Sequence, residues 1–396
     1  MDKVTIGIIP APDLPATIAE PMKDDLPEAF HSIIDDQVEW NVEIEVSPLT
    51  GAAEKVKDIV DEAKKLLERN NWDYAICLTD LPIFSRKRVV LADANVTDGV
   101  AQISLPAFGA FPTPKRVKKT VIQMVKELRT GYFDKENKPE MLQNGIGPLD
   151  KWKKKGFFSK CRGIFNFSPI RRKSSPKDVD GVGVGVRFII ASRPLGFGLV
   201  LFGMAIANRP WTIMPSFKGV VALAFATGAY GLIFPTLWKL SVSYELPRFF
   251  ALMLASILAM NIWIVFAHNL WERANEKSSN RLRRLYNTAT IITLTTSIIM
   301  YYIVLFLLFL VAVTVFVPAD LYGAVTDQNI EMTHYLKLAW LVTSVATVAG
   351  SVGSGLEKTD EVGKITYGYR QYIRYEQIKQ NEKKKEEEKY GKSEGK

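Results

Sequence analysis

Polar side chains directly follow two apolar, strand-like segments, and their types and spacing suit the binding of a small ligand. Thr79 and Asp80 come after the run Y-A-I-C-L, and Asp93 and Asn95 lie in L-A-D-A-N. Ligands of open α/β sheets usually bind at the carboxyl ends of the strands, where backbone groups and loops converge. We therefore take these four residues as candidate ligand-binding residues.

Two arginines, Arg86 and Arg88, lie between these positions and complete the candidate set. They could neutralise an anionic ligand or the two carboxylates. The alternative for the whole set is a local role, in which Asp80 and Asn95 accept hydrogen bonds from nearby backbone N–H groups and the arginines belong to a solvated hairpin. Local roles are the more common outcome for such residues.

The inventory of reactive side chains argues against several enzyme classes. The histidines His31, His268 and His334 are far apart, so the sequence holds no H-E-x-x-H motif and no three-ligand zinc set. It also lacks G-x-S-x-G and P-loop motifs. Cys77 and Cys161 lack the paired spacing of a disulfide framework. We predict no catalytic residue, no metal and no cofactor.

The elements that would position the candidate residues occupy residues 1–149 and follow the order β-α-β-α-β-β-β-α. Strands that alternate with helices predict an α/β domain with a partly parallel sheet, and the closely spaced later strands predict an added antiparallel pair. The predicted strands are Val4–Ile9, Val38–Val46, Tyr74–Leu78, Val89–Ala92 and Val100–Leu105, and the predicted helices are Leu14–Ile34, Ala52–Asn70 and Arg116–Leu128.

Charge changes sharply after this domain. Residues 1–149 carry 18 Lys and Arg against 24 Asp and Glu, whereas the remainder carries 33 against 18. A basic and aromatic linker, residues 150–187, holds nine Lys and Arg and no acidic residue between Lys151 and Lys173. This composition predicts contact with an anionic lipid leaflet, with a disordered tether as the alternative. Such a segment can also bind nucleic acid, but its position shortly before the first predicted span favours lipid as the partner. The candidate lipid-surface residues are Lys151, Lys153, Lys154, Lys155, Arg171, Arg172 and Lys173.

Apolar segments of membrane-spanning length dominate residues 217–356 and predict an all-α transmembrane bundle. The segment before it, residues 188–216, has a shorter apolar run and is predicted to be interfacial or re-entrant. A charged tail, residues 357–396, follows the bundle and is predicted to be a solvated, partly helical extension. The four predicted spans are Gly219–Trp238, Phe249–Leu270, Ala289–Val317 and Leu338–Gly355.

The loops between these spans predict the orientation. Trp271–Leu285 contains five Lys and Arg, whereas Pro318–Tyr335 contains none. The positive-inside rule places the first loop in the cytoplasm, so both termini and the α/β domain should be cytoplasmic. We predict a multi-pass protein of the cell (plasma) membrane.

Polar residues inside the predicted spans are the remaining candidates. Asn261, Thr293 and Thr296 could line a transport path, because polar groups at membrane depth often mark one. The alternative is hydrogen bonding within and between helices. Small residues in the last span could pack inside the bundle or form a homo-oligomer.

Several segments together resemble an uncharacterised family of Gram-positive bacterial membrane proteins. They are W-D-Y-A-I-C-L-T-D-L-P-I, V-A-Q-I-S-L-P-A-F-G, A-N-R-P-W, L-Y-N-T-A-T and Y-G-Y-R-Q. The resemblance implies a cytosolic α/β domain with a C-terminal four-helix transmembrane region, and it implies no activity. The leading hypothesis is a membrane-tethered sensor or adaptor that binds a ligand or a protein. A transporter or channel with a regulatory domain is the alternative.

Overall fold

The computed structural model divides into two compact units. Met1–Ala207 and Gln371–Lys396 form the first, the α/β unit, and Asn208–Arg370 form the second, the helical unit. The structure describes residues 2–52, 56–85, 87–110, 114–133, 170–174, 185–272, 280–355, 363, 366, 369, 370 and 373–380.

The α/β unit is built on a mixed sheet in the strand order β2-β1-β3-β6-β5-β8-β7, with β4 paired to β5. The neighbours β2, β1, β3 and β6 run parallel, whereas β6, β5, β8 and β7 pair in antiparallel fashion. The predicted mixed sheet is therefore confirmed. The strands are β1 Asp2–Pro10, β2 Val38–Ile44, β3 Tyr74–Thr79, β4 Ile83–Ser85, β5 Arg88–Asn95, β6 Val100–Ser104, β7 Ile170–Ser174 and β8 Val186–Ile190.

Helices cover this sheet where the sequence has apolar residues at helical spacing. Ile59, Val60 and Ala63 of α3 pack in one buried cluster with Ala75 and Cys77 of β3. Such burial of one helix face against a sheet is the main source of stability for an amphipathic helix. The helices of this unit are α1 Leu14–Ala19, α2 Met22–Ile33, α3 Val56–Asn70, α4 Pro114–Phe133 and α5 Arg193–Ala207.

Two strands come from the segment that was predicted to be a linker. β8 pairs with β5 along residues 186–189, and β7 pairs with β8. Without them β5 would present an unpaired edge, which folded proteins usually cover. The segment predicted as a linker, residues 150–187, therefore contributes all of β7 and the first two residues of β8 to the sheet. The rest of that segment, residues 150–169 and 175–184, lies outside the described residues.

Helix α5 covers most of the segment that was predicted to be interfacial or re-entrant. It packs on β5 and on a 3₁₀ turn, Leu105–Phe108, within the α/β unit. Leu199, Val200 and Met204 are among its buried residues. The apolar run that the sequence shows here is thus used at least in part to cover the α/β unit, while its relation to a membrane interface stays a prediction.

The helical unit contains three helices that are long and apolar enough to cross a membrane, Leu246–Ala267, Leu282–Phe316 and Met332–Ser354. This property indicates a membrane protein. A fourth span arises only if the bent pair Arg193–Thr212 and Met214–Gly231 is counted as one. The helices are α6 Lys218–Gly231, α7 Pro235–Ser243, α8 Leu246–Ala267, α9 Asn280–Phe316, α10 Ala319–Thr326 and α11 Met332–Ser354.

The predicted count of four spans is not confirmed, because the first predicted span is interrupted. Helix α6 ends at Gly231 and α7 begins at Pro235. Phe234, just before the proline, has an extended backbone with ψ 118°. A proline disfavours helical backbone in the residue before it, so the apolar run cannot continue as one helix.

Candidate functional site

The carboxyl ends of the parallel strands hold the first two candidate residues. Thr79 ends β3, and its hydroxyl oxygen accepts a hydrogen bond of 3.0 Å from the Leu81 backbone N–H. Ser104, at the end of the neighbouring β6, donates to the Leu81 carbonyl at 2.7 Å. Thr79 therefore accepts a hydrogen bond from a nearby backbone N–H group, as the local alternative predicted. The two hydrogen bonds to Leu81 hold the turn that contains Asp80.

Asp80 lies in this turn with no exposed surface, and it is paired with an arginine from the far end of the chain. Nη1 and Nη2 of Arg374 donate to its two carboxylate oxygens, each at 2.9 Å. Arg374 is itself 4% exposed. A bidentate pair of this kind is among the strongest hydrogen-bonded ion pairs in proteins. The carboxylate that the sequence offered as a ligand-binding residue is thus occupied by the protein itself.

Three more groups at the same edge surround the guanidinium. Nη1 also donates to the carbonyl of Gly51 at 2.7 Å. Nη2 lies 3.3 Å from the carbonyl of Pro12 and 3.4 Å from a carboxylate oxygen of Asp13. We call these partners, Pro12, Asp13, Gly51 and Asp80, the arginine cradle.

The topology of the sheet explains why these residues meet. Pro12 and Asp13 follow β1, Gly51 ends the 3₁₀ turn Pro48–Gly51 after β2, and Asp80 follows β3. Strands β2 and β3 lie on opposite sides of β1, so the chain reverses its direction of winding here. Such a switch point opens a crevice at the carboxyl ends, which is the usual ligand site of open α/β sheets.

Gly51 has a specific steric reason to be glycine. A Cβ atom at this position would lie 2.7 Å from Cζ of Arg374 and 2.9 Å from the Cβ of Ala11. These separations are shorter than nonbonded carbon atoms tolerate, so any side chain would push the guanidinium out. The absence of a side chain at position 51 therefore leaves the space that the Arg374 guanidinium occupies.

Asp93 does not belong to this edge, which corrects the sequence-based grouping. It lies inside β5, opposite Gln102 of β6 and Arg187 of β8. Both carboxylate oxygens accept hydrogen bonds of 2.8 Å from Arg187, which also donates to Ser85 at 2.7 Å. Asp93 and Arg187 are 3% and 7% exposed. The pair is a cross-strand ion pair in the core of the sheet.

Asn95 ends β5 at the opposite edge, because β5 runs antiparallel to β6. Its side-chain oxygen accepts a hydrogen bond of 3.2 Å from the Asp98 N–H, and its amide group donates to the Asp98 carboxylate. Asn95 therefore stabilises the turn after β5, as the local alternative predicted.

Arg88 begins β5 opposite Ser85 and is half-buried. Arg86 lies outside the described residues.

The basic residues proposed to face lipid have different surroundings. Arg172 of β7 donates two hydrogen bonds, 3.0 and 2.7 Å long, to the carboxylate of Glu127 in α4. This hydrogen bonding raises the pKa of the Arg172 guanidinium. Arg171 and Lys173 are exposed. The remaining four, Lys151, Lys153, Lys154 and Lys155, lie outside the described residues.

The polar residues of the predicted spans bind other parts of the helical unit. Asn261 donates to the Ile257 carbonyl at 2.9 Å and accepts from Thr295 of α9 at 3.2 Å. Thr293 donates to its own helix and accepts from Asn208 at 2.9 Å. Thr296 donates to the Ile292 carbonyl. These contacts match the hydrogen-bonding alternative.

A cavity of about 220 Å³ lies at one end of the helical unit and was missed from the sequence. His268 lines it and is 5% exposed. Its Nε2 lies 3.0 Å from the Ser354 carbonyl, which can only accept, so Nε2 carries the proton. In the neutral ring, Nδ1 is then an acceptor, and it has no hydrogen-bond partner in the described structure. Trp271 and Tyr369 add aromatic walls.

Among the described residues, no group of three or more His, Cys, Asp or Glu could hold a metal ion. The residues of these sites that the sequence did not indicate are Pro12, Asp13, Gly51, Arg187, His268 and Arg374. Only Arg374 carried a signal, since Y-G-Y-R-Q-Y-I-R-Y interrupts an otherwise low-complexity tail with aromatic residues. The prediction of a solvated tail does not hold for its side chain.

Cys77 of β3 should be unreactive in the folded chain. It is fully buried, and desolvation, with a smaller contribution from the charge of Glu62, raises the pKa of its thiol to about 12. The thiolate is the nucleophile, so the raised pKa keeps the thiol protonated at all lower pH values. In a Cys161→Ser background, iodoacetamide at about pH 8 should leave Cys77 unmodified until denaturant is added. Rapid modification without denaturant would contradict this burial.

No protein-family model, curated protein or solved structure matches this chain. The resemblance to a Gram-positive bacterial membrane protein family therefore stays a prediction.

Proposed function

We propose that the chain is a membrane-tethered sensor or adaptor whose α/β unit binds a ligand or a protein partner at the carboxyl edge of its sheet. The observation that carries the proposal is the seating of Arg374 in the arginine cradle, at the switch point between β1 and β3. The cradle lies where open α/β sheets usually bind ligands.

The order of the chain connects this edge to the candidate spans. Arg374 follows α11, the last of them, by 20 residues. Occupancy of the cradle would hold the far end of the segment that leaves the final span, and displacement of Arg374 would release that end. A binding event at the sheet edge would in this way alter a membrane-proximal segment, which is what a tethered sensor requires.

The proposed setting is the plasma membrane of a bacterial cell, with both termini in the cytoplasm. It rests on the basic loop Trp271–Leu285, on the absence of Lys and Arg from Pro318–Tyr335, and on the polybasic segment that begins at Lys151. Arg171 and Lys173, which are exposed, would contribute to contact with an anionic leaflet.

The test is a thermal-shift screen of the full chain in detergent micelles against metabolites, nucleotides and lipid headgroups. A ligand at a hundred times its dissociation constant adds about 2.7 kcal/mol to the free energy of unfolding. The shift should vanish in Asp80→Asn and persist in Asp98→Asn, which changes a carboxylate at the opposite edge. A chain that no ligand or protein partner stabilises, but that moves solute in liposomes, would overturn the proposal.

The alternative, a transporter or channel with a regulatory domain, is favoured by one observation. The cavity beside His268 is lined by polar and aromatic groups at the end of a bundle with candidate spans. If such a path exists and passes Asn261, then Asn261→Leu should abolish flux in proteoliposomes. Unchanged flux would assign Asn261 to helix packing alone, as its bond to Thr295 suggests.

A further inference from the structure

We infer that the arginine cradle is a guanidinium-binding site, which Arg374 fills as a removable plug and which takes a guanidinium-bearing ligand when the plug leaves. The inference rests on the proposed function, because it names the ligand class of that same sheet edge. The guanidinium could belong to a small molecule or to an arginine of a peptide, and the experiment below separates these two sources.

The first argument is the geometry of the acceptors. Five oxygen atoms lie within 3.4 Å of the two terminal nitrogens of Arg374, and two of them form a parallel pair on Asp80. This arrangement matches the planar fork of a guanidinium. A primary ammonium has three donors around one atom, so it could not use both carboxylate oxygens and the two carbonyls together.

The second argument is charge. Asp80 has no exposed surface, so removal of Arg374 would leave a buried carboxylate without its cationic partner. An unpaired buried charge is strongly unfavourable, so the site favours a cation over a neutral or anionic replacement. Open sheets commonly bind phosphate groups at this position, but the carboxylates of Asp80 and Asp13 would repel them. The chemistry of the cradle excludes that ligand class.

The third argument is the burial of Arg374 relative to its own segment. Arg374 lies in a short helical segment, residues 373–380, in which it alone is buried and the other seven residues are half-buried or exposed. The guanidinium is therefore the most deeply buried group by which this segment contacts the α/β unit. A ligand that supplies its own guanidinium would replace the bonds that the plug loses, so exchange between the two is feasible.

Competition between plug and ligand gives a measurable consequence. The apparent dissociation constant equals the intrinsic one divided by the fraction of molecules in which Arg374 has left the site. Removing the plug side chain should therefore tighten ligand binding, while damage to the cradle should abolish it. A permanent structural latch would differ in one respect, because no ligand would release it from the unaltered chain.

The experiment uses the full chain in detergent micelles, with agmatine as the small guanidinium probe and cadaverine as its ammonium counterpart. Calorimetry should show that Arg374→Gln binds agmatine at least about tenfold more tightly than the unaltered chain. Cadaverine should bind neither. An arginine pentapeptide and its lysine version provide the second arm, and preference for the peptide over agmatine would assign the ligand to a protein partner.

Plug release is measured by hydrogen–deuterium exchange of residues 373–380. Saturating agmatine should raise exchange of this segment in the unaltered chain. Gly51→Ala should raise it without ligand, because the new methyl group displaces the guanidinium, and should also weaken agmatine binding. The double variant Asp80→Asn, Arg374→Gln removes both charges and checks that the fold survives an empty cradle.

The outcomes separate the inference from the proposed function. If agmatine and the arginine peptide never raise exchange of residues 373–380, Arg374 is a permanent latch and the inference is wrong. If, in addition, another class of ligand gives a thermal shift that depends on Asp80, the proposed function stands without the inference. Binding of agmatine with release of the plug supports both.

Discussion

Arg187→Met should destabilise the α/β unit by about 3–5 kcal/mol, because the substitution leaves the Asp93 carboxylate buried without its partner. Asp93 is 3% exposed and Arg187 is 7% exposed. The guanidinium supplies two hydrogen bonds of 2.8 Å to the carboxylate. The methionine side chain is apolar and shorter than that of arginine, so it replaces the aliphatic part of Arg187 but not the guanidinium or its hydrogen bonds.

The measurement is thermal unfolding of the full chain in detergent micelles, followed by near-ultraviolet circular dichroism. For a unit of this size the loss corresponds to a fall in the melting temperature on the order of 10 °C. A second substitution, Asp93→Leu, should recover most of the loss, because an apolar pair leaves no buried charge. The exposed pair Arg69 and Glu45 provides the control, and Arg69→Met should cost at most about 1 kcal/mol.

If Arg187→Met costs no more than Arg69→Met, the buried pair does not form. If the double variant is no more stable than Arg187→Met, the cost comes from packing rather than from the unpaired charge. These two results therefore test the location of Asp93 and the electrostatic reason for its pairing separately.

This ion pair also shows where sequence reasoning stopped. Alternation of residues identified β2, a short apolar run identified β1, and the mixed character of the sheet followed from the spacing of later strands. The same spacing predicts an antiparallel pair, which turns β5 against the parallel strands, but that direction was not applied to the polar residues of β5. As a result Asp93 and Asn95 were grouped with Asp80, although β5 carries them away from that edge.

The missed partners came from segments that the sequence did not assign to the sheet. Arg187 lies in β8 and Arg374 in the tail, 94 and 294 residues from their carboxylate partners. The sequence predicted a linker and a solvated extension there, since neither segment can form a core alone. Each acquires structure by adding one strand or one side chain to a sheet that is already formed, and such non-local pairing leaves no periodic signal.

The predicted span Gly219–Trp238 shows that hydropathy alone does not determine where a helix is continuous. Its hydropathy was sufficient for a membrane crossing, but Pro235 decides the local backbone whatever the surrounding composition. Each of the predicted spans Phe249–Leu270, Ala289–Val317 and Leu338–Gly355 therefore overlaps a helix that is long and apolar enough to cross a membrane, whereas Gly219–Trp238 is not one continuous helix.

Gly203→Ala is the second substitution with a large expected effect, because helix α5 approaches the backbone of the α/β unit at this residue. A Cβ atom there would lie 2.7 Å from the Cα and 2.8 Å from the carbonyl carbon of Pro106, and still closer to its oxygen. Pro106 belongs to the 3₁₀ turn Leu105–Phe108, whose backbone cannot turn aside as a flexible side chain could. We expect a loss of roughly 1–3 kcal/mol from overpacking.

Gly198→Ala is the matched control in the same helix, since a Cβ atom at that position meets nothing within 4 Å. Alanine is favoured over glycine in a helix interior by about 1 kcal/mol, so this variant should be as stable as the unaltered chain or more stable. Thermal unfolding of both variants distinguishes steric contact from helix propensity. Equal melting temperatures would mean that α5 does not rest on the turn, and that its apolar face is available for another surface, such as the membrane interface predicted from its sequence.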